Sequence, residues 1–206
     1  MRVAVVGGTG PFGRAVAVRL RDAGVDVVVG SRDAERAAAT ASELGVSGAT
    51  NEEAVSGAEL VVLAVNAEAA LDMARNLRGE IGTTPVLSVA SELRFTKEGV
   101  LPSPDAASLA ERIQTVLDAP VLAGLHSLAA ASLGGEEAPV EDAFVCGSDP
   151  EAKALALELA DRLTAGRALD AGPLASARAL EGLTAVIVNL NKRYRGHAGI
   201  RVTGVG

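Results

Sequence analysis

Three glycines follow a short strand-like run with the spacing GxGxxG. The run is Arg2–Val6, and the motif is Gly8-Thr9-Gly10-Pro11-Phe12-Gly13. In a loop that holds a dinucleotide pyrophosphate, Gly8 would allow the tight turn, Gly10 would let backbone approach the phosphates, and Gly13 would let helix pack on strand. The helix start adds unpaired N–H groups and the positive end of its dipole. The alternative is a tight β–α turn in a domain that binds no dinucleotide.

The residues after the second strand-like run indicate which dinucleotide would bind. An NAD site places Asp or Glu there to accept hydrogen bonds from the ribose 2′-OH. This run ends Val29-Gly30-Ser31-Arg32, with no acid. Arg32 and Arg36 lie four residues apart at the next helix start, so both guanidiniums can reach one phosphate. We therefore predict that Arg32 and Arg36 hold the 2′-phosphate of NADP. Two alternatives stay open: Asp33 as a displaced ribose acid rather than a helix cap, and the arginines as plain surface charges.

Polar residues also follow three later strand-like runs. Asn66 follows one run, Ser88 to Ser91 end another, and His126 follows a third. In a parallel sheet they would meet at the edge where the nicotinamide half of a dinucleotide lies. His126 could contact a ligand or relay a proton because imidazole titrates near neutrality, and a structural histidine fits equally well. Asn66 and Ser88 also fit ordinary turn residues.

Short β-branched runs alternate with Ala-, Leu-, Arg- and Glu-rich stretches, a pattern typical of βαβ units. It predicts an α/β fold: a Rossmann-type, doubly wound, mostly parallel sheet with a small, largely helical C-terminal domain. The predicted strands are Arg2–Val6, Val25–Val29, Val46–Ala49, Leu60–Val65, Pro85–Val89, Pro120–Leu125 and Asp142–Cys146. The predicted helices are Pro11–Ala23, Asp33–Leu44, Glu68–Leu77, Pro104–Leu117, Pro150 to about Leu163, and Leu174–Tyr194.

Two later segments carry specific expectations. Ser91–Ser103 is predicted to be a long loop on the carboxyl edge of the sheet, because it combines Gly and Pro turn residues. The Leu174–Tyr194 helix has too much Ala, Leu, Val and Ile for a solvated surface helix. We expect it to be buried, in part against a second subunit.

Composition excludes several classes of protein. The chain has 206 residues, 49% of them apolar and 22% charged, which is the balance of a globular protein. Its net charge is −7 and it has no Lys/Arg block, so nucleic acid and anionic membranes are poor partners. One cysteine, Cys146, and two histidines predict neither a disulfide framework nor a metal site. With no signal-peptide pattern and no bilayer-length apolar stretch, we expect a cytoplasmic protein.

The chain lacks the usual machinery for carbonyl or alcohol chemistry. It contains no Tyr-x-x-x-Lys pair, and its only tyrosine is Tyr194. We therefore predict no dedicated catalytic acid or base, and a reaction such as hydride transfer between two cofactors, where alignment suffices. Two rival functions stay open: an NADPH-dependent imine or carbonyl reductase on a small organic substrate, and a non-catalytic NADP-sensing module.

Motifs spread over nearly the whole chain also match a known family. They are Arg2-Val3-Ala4-Val5-Val6-Gly7-Gly8-Thr9-Gly10, Val28-Val29-Gly30-Ser31-Arg32, Leu125-His126-Ser127-Leu128-Ala129-Ala130, Val145-Cys146-Gly147-Ser148-Asp149, Leu169-Asp170-Ala171-Gly172-Pro173-Leu174 and Asn191-Lys192-Arg193-Tyr194-Arg195-Gly196-His197-Ala198-Gly199-Ile200-Arg201. With them the chain resembles the NADPH-dependent reductases of coenzyme F-420 (F420), a 5-deazaflavin. The last two motifs are the most specific ones.

The resemblance implies reversible hydride transfer between NADP(H) and F420 in a homodimer. It implies an NADP-binding domain at residues 1–148 and a smaller domain at 149–206 with the deazaflavin cleft and dimer contacts. By position, Thr9 to Phe12 would hold the pyrophosphate, and Ser31, Arg32 and Arg36 would hold the 2′-phosphate. The nicotinamide half would lie along Val65, Asn66 and Ala130, and His126 with Leu128 would border the deazaflavin cleft. The chain departs from the family where relatives often have proline and an aromatic residue, since it reads Asn66-Ala67.

Overall fold

The computed structural model describes residues 1–205 of the chain. These residues contain ten strands and nine α-helices. The strands are β1 Arg2–Val6, β2 Asp26–Ser31, β3 Ser47–Thr50, β4 Leu60–Leu63, β5 Val86–Ser88, β6 Leu93–Phe95, β7 Val100–Pro102, β8 Val121–Gly124, β9 Ala143–Gly147 and β10 Ala168–Asp170. The helices are α1 Pro11–Asp22, α2 Ala34–Leu44, α3 Asn51–Val55, α4 Ala67–Asn76, α5 Arg78–Ile81, α6 Leu109–Gln114, α7 Ala130–Leu133, α8 Pro150–Asp161 and α9 Ala177–Tyr194. All seven predicted strands are present, within two residues of their predicted bounds.

Eight strands form one sheet in the order β10-β9-β8-β5-β4-β1-β2-β3. Neighbouring strands are parallel except at the β8–β9 pair. β2 and β3 lie on one side of β1, and β4 and β5 lie on the other side. The connection that follows β1 and the one that follows β4 therefore run in opposite directions along the sheet. Ligands of doubly wound sheets bind at such a switch point. The predicted Rossmann-type fold is confirmed.

Both faces of the sheet are covered, which explains why its inner strands β1, β4, β5 and β8 are mostly apolar. Val3 and Val5 pack with α1 and α8 on one face, whereas Ala4 and Val6 pack with α4, α6 and α9 on the other. Successive side chains of a strand point to opposite faces, so a strand buried twice has no polar positions to spare. Each fully buried Val or Leu contributes about 1.5–3 kcal/mol to stability.

The predicted loop at Ser91–Ser103 is wrong, because this segment forms the antiparallel hairpin of β6 and β7. Thr96 and Gly99 exchange backbone hydrogen bonds across its turn, and Gly99 has φ of 143°, in the region that favours glycine. Gly99 also has no room for a Cβ, which would lie 2.8 Å from Asn189 Oδ1 on α9. The glycine that suggested a loop therefore serves a tight turn packed against α9.

The predicted helix Pro104–Leu117 is also wrong in its start, because α6 begins only at Leu109. The Ser108 hydroxyl accepts a hydrogen bond from the Glu111 backbone, and the Glu111 carboxylate accepts one from the Ser108 backbone. This capping box fixes the start of the helix more strongly than a proline does. The spacing Ser-x-x-Glu was the signal in the sequence.

Residues after 148 extend the same sheet and add the helix α9. β10 pairs with β9, and α8 packs against the sheet. The predicted helix Leu174–Tyr194 starts with a 3-10 turn at Leu174–Ser176, and α9 is only partly buried, since Val186, Leu190 and Tyr194 are exposed. Across the described range, no helix is long and apolar enough to span a bilayer.

One buried carboxylate fixes the C-terminal tail to the sheet. Asp142 is fully buried and accepts hydrogen bonds from the Arg167 guanidinium at 2.6 Å and from the Val202 N–H at 2.7 Å. The Asp142 N–H in turn donates to the Ile200 carbonyl. The guanidinium of Arg167, together with the Val202 N–H, holds the pKa of the Asp142 carboxyl well below its usual range.

Replacing Asp142 by asparagine should lower the free energy of unfolding at pH 7 by about 2–3 kcal/mol, because charge-assisted hydrogen bonds are lost. The ionised carboxylate stabilises the fold above about pH 4, and that contribution disappears as pH falls towards the depressed pKa. Urea unfolding from about pH 7 to about pH 2 should therefore show a shallower acid dependence in Asp142→Asn. Asp118→Asn is the control, since Asp118 pairs with Arg78 on the surface and should change stability by less than about 1 kcal/mol. Equal losses in both variants would contradict the assignment.

Candidate functional site

Two adjoining cavities lie at the switch point, at the carboxyl ends of the parallel strands. The first, here the arginine cavity, has a volume of about 300 Å³ and is lined by Gly7, Thr9, Gly10, Ser31, Arg32, Asp33, Arg36, Asn51, Ala64, Val65, Asn66, Ala69 and Met73. The second, the histidine cavity, has about 280 Å³ and is lined by Phe12, Ala64, Val65, Asn66, Ala67, Val89, Ala90, Ser91, Leu93, Leu125, His126, Leu128 and Thr184. Ala64, Val65 and Asn66 belong to both, so the two cavities form one groove across the sheet edge.

The glycine loop packs α1 directly against the end of β1. A Cβ on Gly13 would lie 2.6 Å from the Gly7 carbonyl oxygen, so the predicted role of Gly13 is confirmed. Gly8 lies within the tight turn, as predicted, because the Gly10 N–H donates to the Gly7 carbonyl at 3.0 Å across it, and the left-handed residue of this turn is Gly7, with φ of 81°. Gly8 is glycine for another reason, because a Cβ there would meet Val29 at 2.8 Å. Beside Gly10, the nearest atom to an added Cβ is 3.4 Å away, which leaves open space on the arginine cavity.

The first turn of α1 can hold an anion. Gly10 caps the helix without a side-chain hydrogen bond, and Pro11 has no N–H to offer. The N–H groups of Phe12 and Gly13 find no acceptor within residues 1–205. Unpaired N–H groups and the positive helix dipole suit a phosphate at this position.

Two arginines at the start of α2 bring positive charge to the other end of this cavity. Arg32 and Arg36 are exposed, and neither forms an ion pair in the described part of the chain. Asp33 caps α2 by accepting a hydrogen bond from the Arg36 N–H, which confirms the cap interpretation of this acid. The Ser31 hydroxyl accepts from the Asp33 N–H and remains able to donate. This set fits a phosphate dianion, and the one carboxylate among the lining residues, that of Asp33, is engaged as the cap of α2.

The histidine cavity is mostly apolar and contains a neutral imidazole. His126 is buried, its Nε2 lies 3.4 Å from the Ala90 carbonyl oxygen, and its Nδ1 has no partner. Burial lowers the pKa of His126 to about 4, because the charged form is poorly solvated there. Leu125, just before it, has φ of 65°, a left-handed conformation that non-glycine residues rarely adopt.

Helix α9 closes the histidine cavity through Thr184, a residue that the sequence analysis missed. Its hydroxyl lies 2.8 Å from the Ser91 hydroxyl and 3.3 Å from the His126 carbonyl oxygen. Nothing in the local sequence distinguishes Thr184 from other polar positions of an amphipathic helix. Only the tertiary packing of α9 across the sheet edge brings it to the cavity.

The structure brings most of the predicted site residues together. Thr9, Gly10, Ser31, Arg32 and Arg36 line the arginine cavity, Phe12, His126 and Leu128 line the histidine cavity, and Val65 and Asn66 line both. Gly8 and Gly13 lie behind the loop as packing positions. Pro11 and Ala130 line a separate apolar depression beside α1, so Ala130 lies outside both cavities. Cys146 is buried in β9, as predicted.

Comparison with known proteins identifies the family. A family model described as NADP oxidoreductase, coenzyme F420-dependent, matches residues 2–92. The F420-dependent NADP reductase of Methanothermobacter thermautotrophicus is 34% identical over 227 residues, which cover 100% of this chain and 96% of that protein. The chain belongs to this reductase family. The F420-dependent NADP reductase of Methanothermobacter marburgensis is also 34% identical, covering 100% of this chain and 99% of its own.

A solved structure shares the fold as well as the family name. The chain from Arthrobacter sp. FB24, named as an F420-dependent NADP-reductase, superposes with a TM-score of 0.84 and 26% identity. The match covers 98% of this chain and 99% of that one. The F420-dependent NADP reductase family model covers β1 to β5 and thus the arginine cavity, whereas His126 and Thr184 lie beyond its matched residues.

The imidazole of His126 should stay neutral across the physiological range. Its ring nitrogen chemical shifts should change little from about pH 8 to about pH 5, because burial lowers the pKa to about 4. Nitrogen-15 NMR of the histidine side chains measures this directly, and a His126→Asn variant identifies the resonance by its loss. Titration of that resonance near the ordinary histidine value of about 6.5 would show that water reaches the ring.

Proposed function

We propose that this chain transfers a hydride reversibly between NADP(H) and F420. The observation that carries the proposal is the groove formed by the two joined cavities. One end has unpaired N–H groups and two unpaired guanidiniums, and the other end is an apolar cavity with a neutral histidine. A dinucleotide phosphate fits the first end, and a flat ring stacked on its nicotinamide fits the second. The membership of the chain in the F420-dependent NADP reductase family supports F420 as that second ring.

The arginine cavity would bind NADP by its charged groups. The pyrophosphate would accept hydrogen bonds from the Phe12 and Gly13 N–H groups, beside the open space at Gly10. Arg32 and Arg36 would donate to the 2′-phosphate, with the Ser31 hydroxyl as a further donor. The nicotinamide would then extend past Val65 and Asn66 into the histidine cavity, whose wall these residues share.

The chemistry itself is a hydride passed from the reduced nicotinamide to F420, with one proton taken up, giving NADP⁺ and reduced F420. The chain contributes position and environment. Leu93, Leu125 and Leu128 exclude water from the transfer path, and the neutral His126 leaves no buried charge beside it. Holding two reactants in register can supply about 7–11 kcal/mol of the barrier reduction, so no dedicated acid or base is needed. His126 and Leu128 border the cleft for F420.

We also infer the assembly and location of the protein. Val186, Leu190 and Tyr194 repeat every fourth residue and are exposed on one face of α9, and Phe95 of the hairpin is 71% exposed. Such a face suits a homodimer contact, with residues 149–206 acting as the smaller domain beside an NADP-binding domain at 1–148. The net charge of −7 argues against nucleic acid as a partner. A cytoplasmic location is part of this proposal, and the use of the soluble cofactors NADP(H) and F420 supports it.

The direct experiment mixes the purified protein with oxidised F420 and NADPH and follows the loss of deazaflavin absorbance. We expect rapid loss with NADPH and slow loss with NADH at equal concentration. Arg32→Ala should raise the KM for NADPH about tenfold to a hundredfold and leave that for NADH nearly unchanged, because only NADPH carries the 2′-phosphate.

Arg75→Ala is the matched control, since Arg75 is an exposed arginine on α4 paired with Asp72. Arg75→Ala should change neither the KM for NADPH nor the KM for NADH. An unchanged cofactor preference in Arg32→Ala would contradict the 2′-phosphate assignment. NADPH binding without any loss of F420 absorbance would contradict the proposed reaction.

The dimer contact can be tested by placing a charge on α9. Val186→Glu should shift the protein from dimer to monomer in light scattering after size exclusion, because an unpaired carboxylate is costly to bury at an interface. Val140→Glu is the control, as Val140 is similarly exposed, at 60% against 52% for Val186, but precedes β9 and is not part of α9. A wild-type monomer, or a dimer that survives Val186→Glu, would refute this contact.

A further inference from the structure

One side chain of the arginine cavity is buried with its hydrogen-bonding capacity unused. Asn51 is only 2% exposed, and its Oδ1 has no hydrogen-bond partner. Its Nδ2 has a single contact, to Met73 Sδ at 3.6 Å, and a thioether is a weak acceptor. A buried amide left in this state disfavours folding, so such groups call for an explanation. The proposed function leaves this residue without a role.

The surrounding structure holds this amide in place. Thr50, the last residue of β3, pairs with Ser31 at the end of β2, so Asn51 follows directly beside the 2′-phosphate residues. Thr50 and Glu53 form a capping box that fixes Asn51 as the first residue of α3. Gly30 has no Cβ, and one added there would lie 2.8 Å from Asn51 Oδ1. The glycine at the end of β2 thus leaves the space that the amide occupies.

The neighbours of Asn51 define what could reach it. Arg32 and Arg36 line the same cavity, and Ala69 and Met73 form an apolar wall on α4. A 2′-phosphate held by the arginines places the base of the same nucleotide within one ribose of them. A flat base suits a space between planar guanidinium and aliphatic side chains. Asn51 provides the polar group at that position.

We propose that Asn51 recognises the adenine of NADP by its hydrogen-bonding edge. The N6 amino group of adenine would donate to Oδ1, and Nδ2 would donate to the ring nitrogen N7 beside it. An amide carries an acceptor beside a donor, which complements adenine at this edge. Hypoxanthine has a carbonyl oxygen in place of the N6 amino group, so it would set an acceptor against Oδ1. This inference rests on the proposed binding of NADP in the arginine cavity.

The test measures binding of NADP⁺ and of its hypoxanthine analogue by isothermal titration calorimetry, without F420. The wild-type protein should bind NADP⁺ at least about tenfold more tightly than it binds the hypoxanthine analogue. Asn51→Ala should weaken the binding of NADP⁺ by about that factor and leave the binding of the analogue nearly unchanged, so the preference for NADP⁺ disappears. Glu52→Ala is the matched control, because Glu52 is the exposed neighbour on α3 and should keep the wild-type preference.

Asn51→Asp tests the same point with the shape of the side chain retained. Its carboxylate can accept from the N6 amino group of adenine but cannot donate to N7, and in hypoxanthine it would face two acceptors, so Asn51→Asp should weaken binding of both nucleotides and keep the preference for NADP⁺. Equal affinity of wild type for both nucleotides would overturn the proposal. So would an Asn51→Ala variant that weakens both nucleotides by the same factor, since a structural amide would do that.

The two proposals can fail separately. If the protein prefers NADP⁺ in a way that depends on Asn51 but does not reduce F420, only the proposed reaction is refuted. If the protein reduces F420 with NADPH but binds NADP⁺ and the hypoxanthine analogue with equal affinity, only the role of Asn51 is refuted.

Discussion

The candidate site depends on a contact between backbone atoms where no side chain would fit. Gly13, in the first turn of α1, packs so closely on Gly7 that a Cβ would lie 2.6 Å from its carbonyl oxygen. This contact places the start of the helix at the end of β1, an inner strand between β4 and β2. The unpaired N–H groups of α1 consequently face the groove where the connections after β1 and β4 diverge. Every other feature of the groove, the arginines on one side and the histidine on the other, is arranged around this helix end.

The two ends of the groove solve different physical problems. Binding a phosphate requires positive charge, and in the proposed NADP site Arg32 and Arg36 would provide it, in a chain whose net charge is −7. Hydride transfer requires an environment that neither hydrates the reactants nor places a buried charge beside them, and burial keeps the His126 imidazole neutral. Separation of these two functions along one groove lets the charged end supply affinity without raising the polarity of the reacting end.

Much of this arrangement could be predicted from the sequence, because the strand-like runs and the GxGxxG motif are local signals. The paired arginines and the missing acid after β2 are local signals too. The hairpin β6–β7 could not be predicted, since its Gly and Pro residues are equally typical of a loop and its pairing with α9 is tertiary. The left-handed conformation of Gly7 escaped because the motif begins only at the next glycine. Asn51 and Thr184 escaped for a third reason: each becomes part of the site only when an element distant in sequence packs beside it.

Two asparagine amides in this fold show how satisfied and unsatisfied groups carry different information. Asn189 on α9 donates to the Val100 carbonyl and accepts from the Val100 N–H, at 2.7 and 2.8 Å, so its amide is paired twice with one residue of the hairpin. It fastens the hairpin to α9 and needs nothing else. Asn51 is more deeply buried, yet its Oδ1 is unpaired. Since the same chemical group is fully paired where it serves the fold, its unpaired state beside the arginines is better explained by a ligand than by packing.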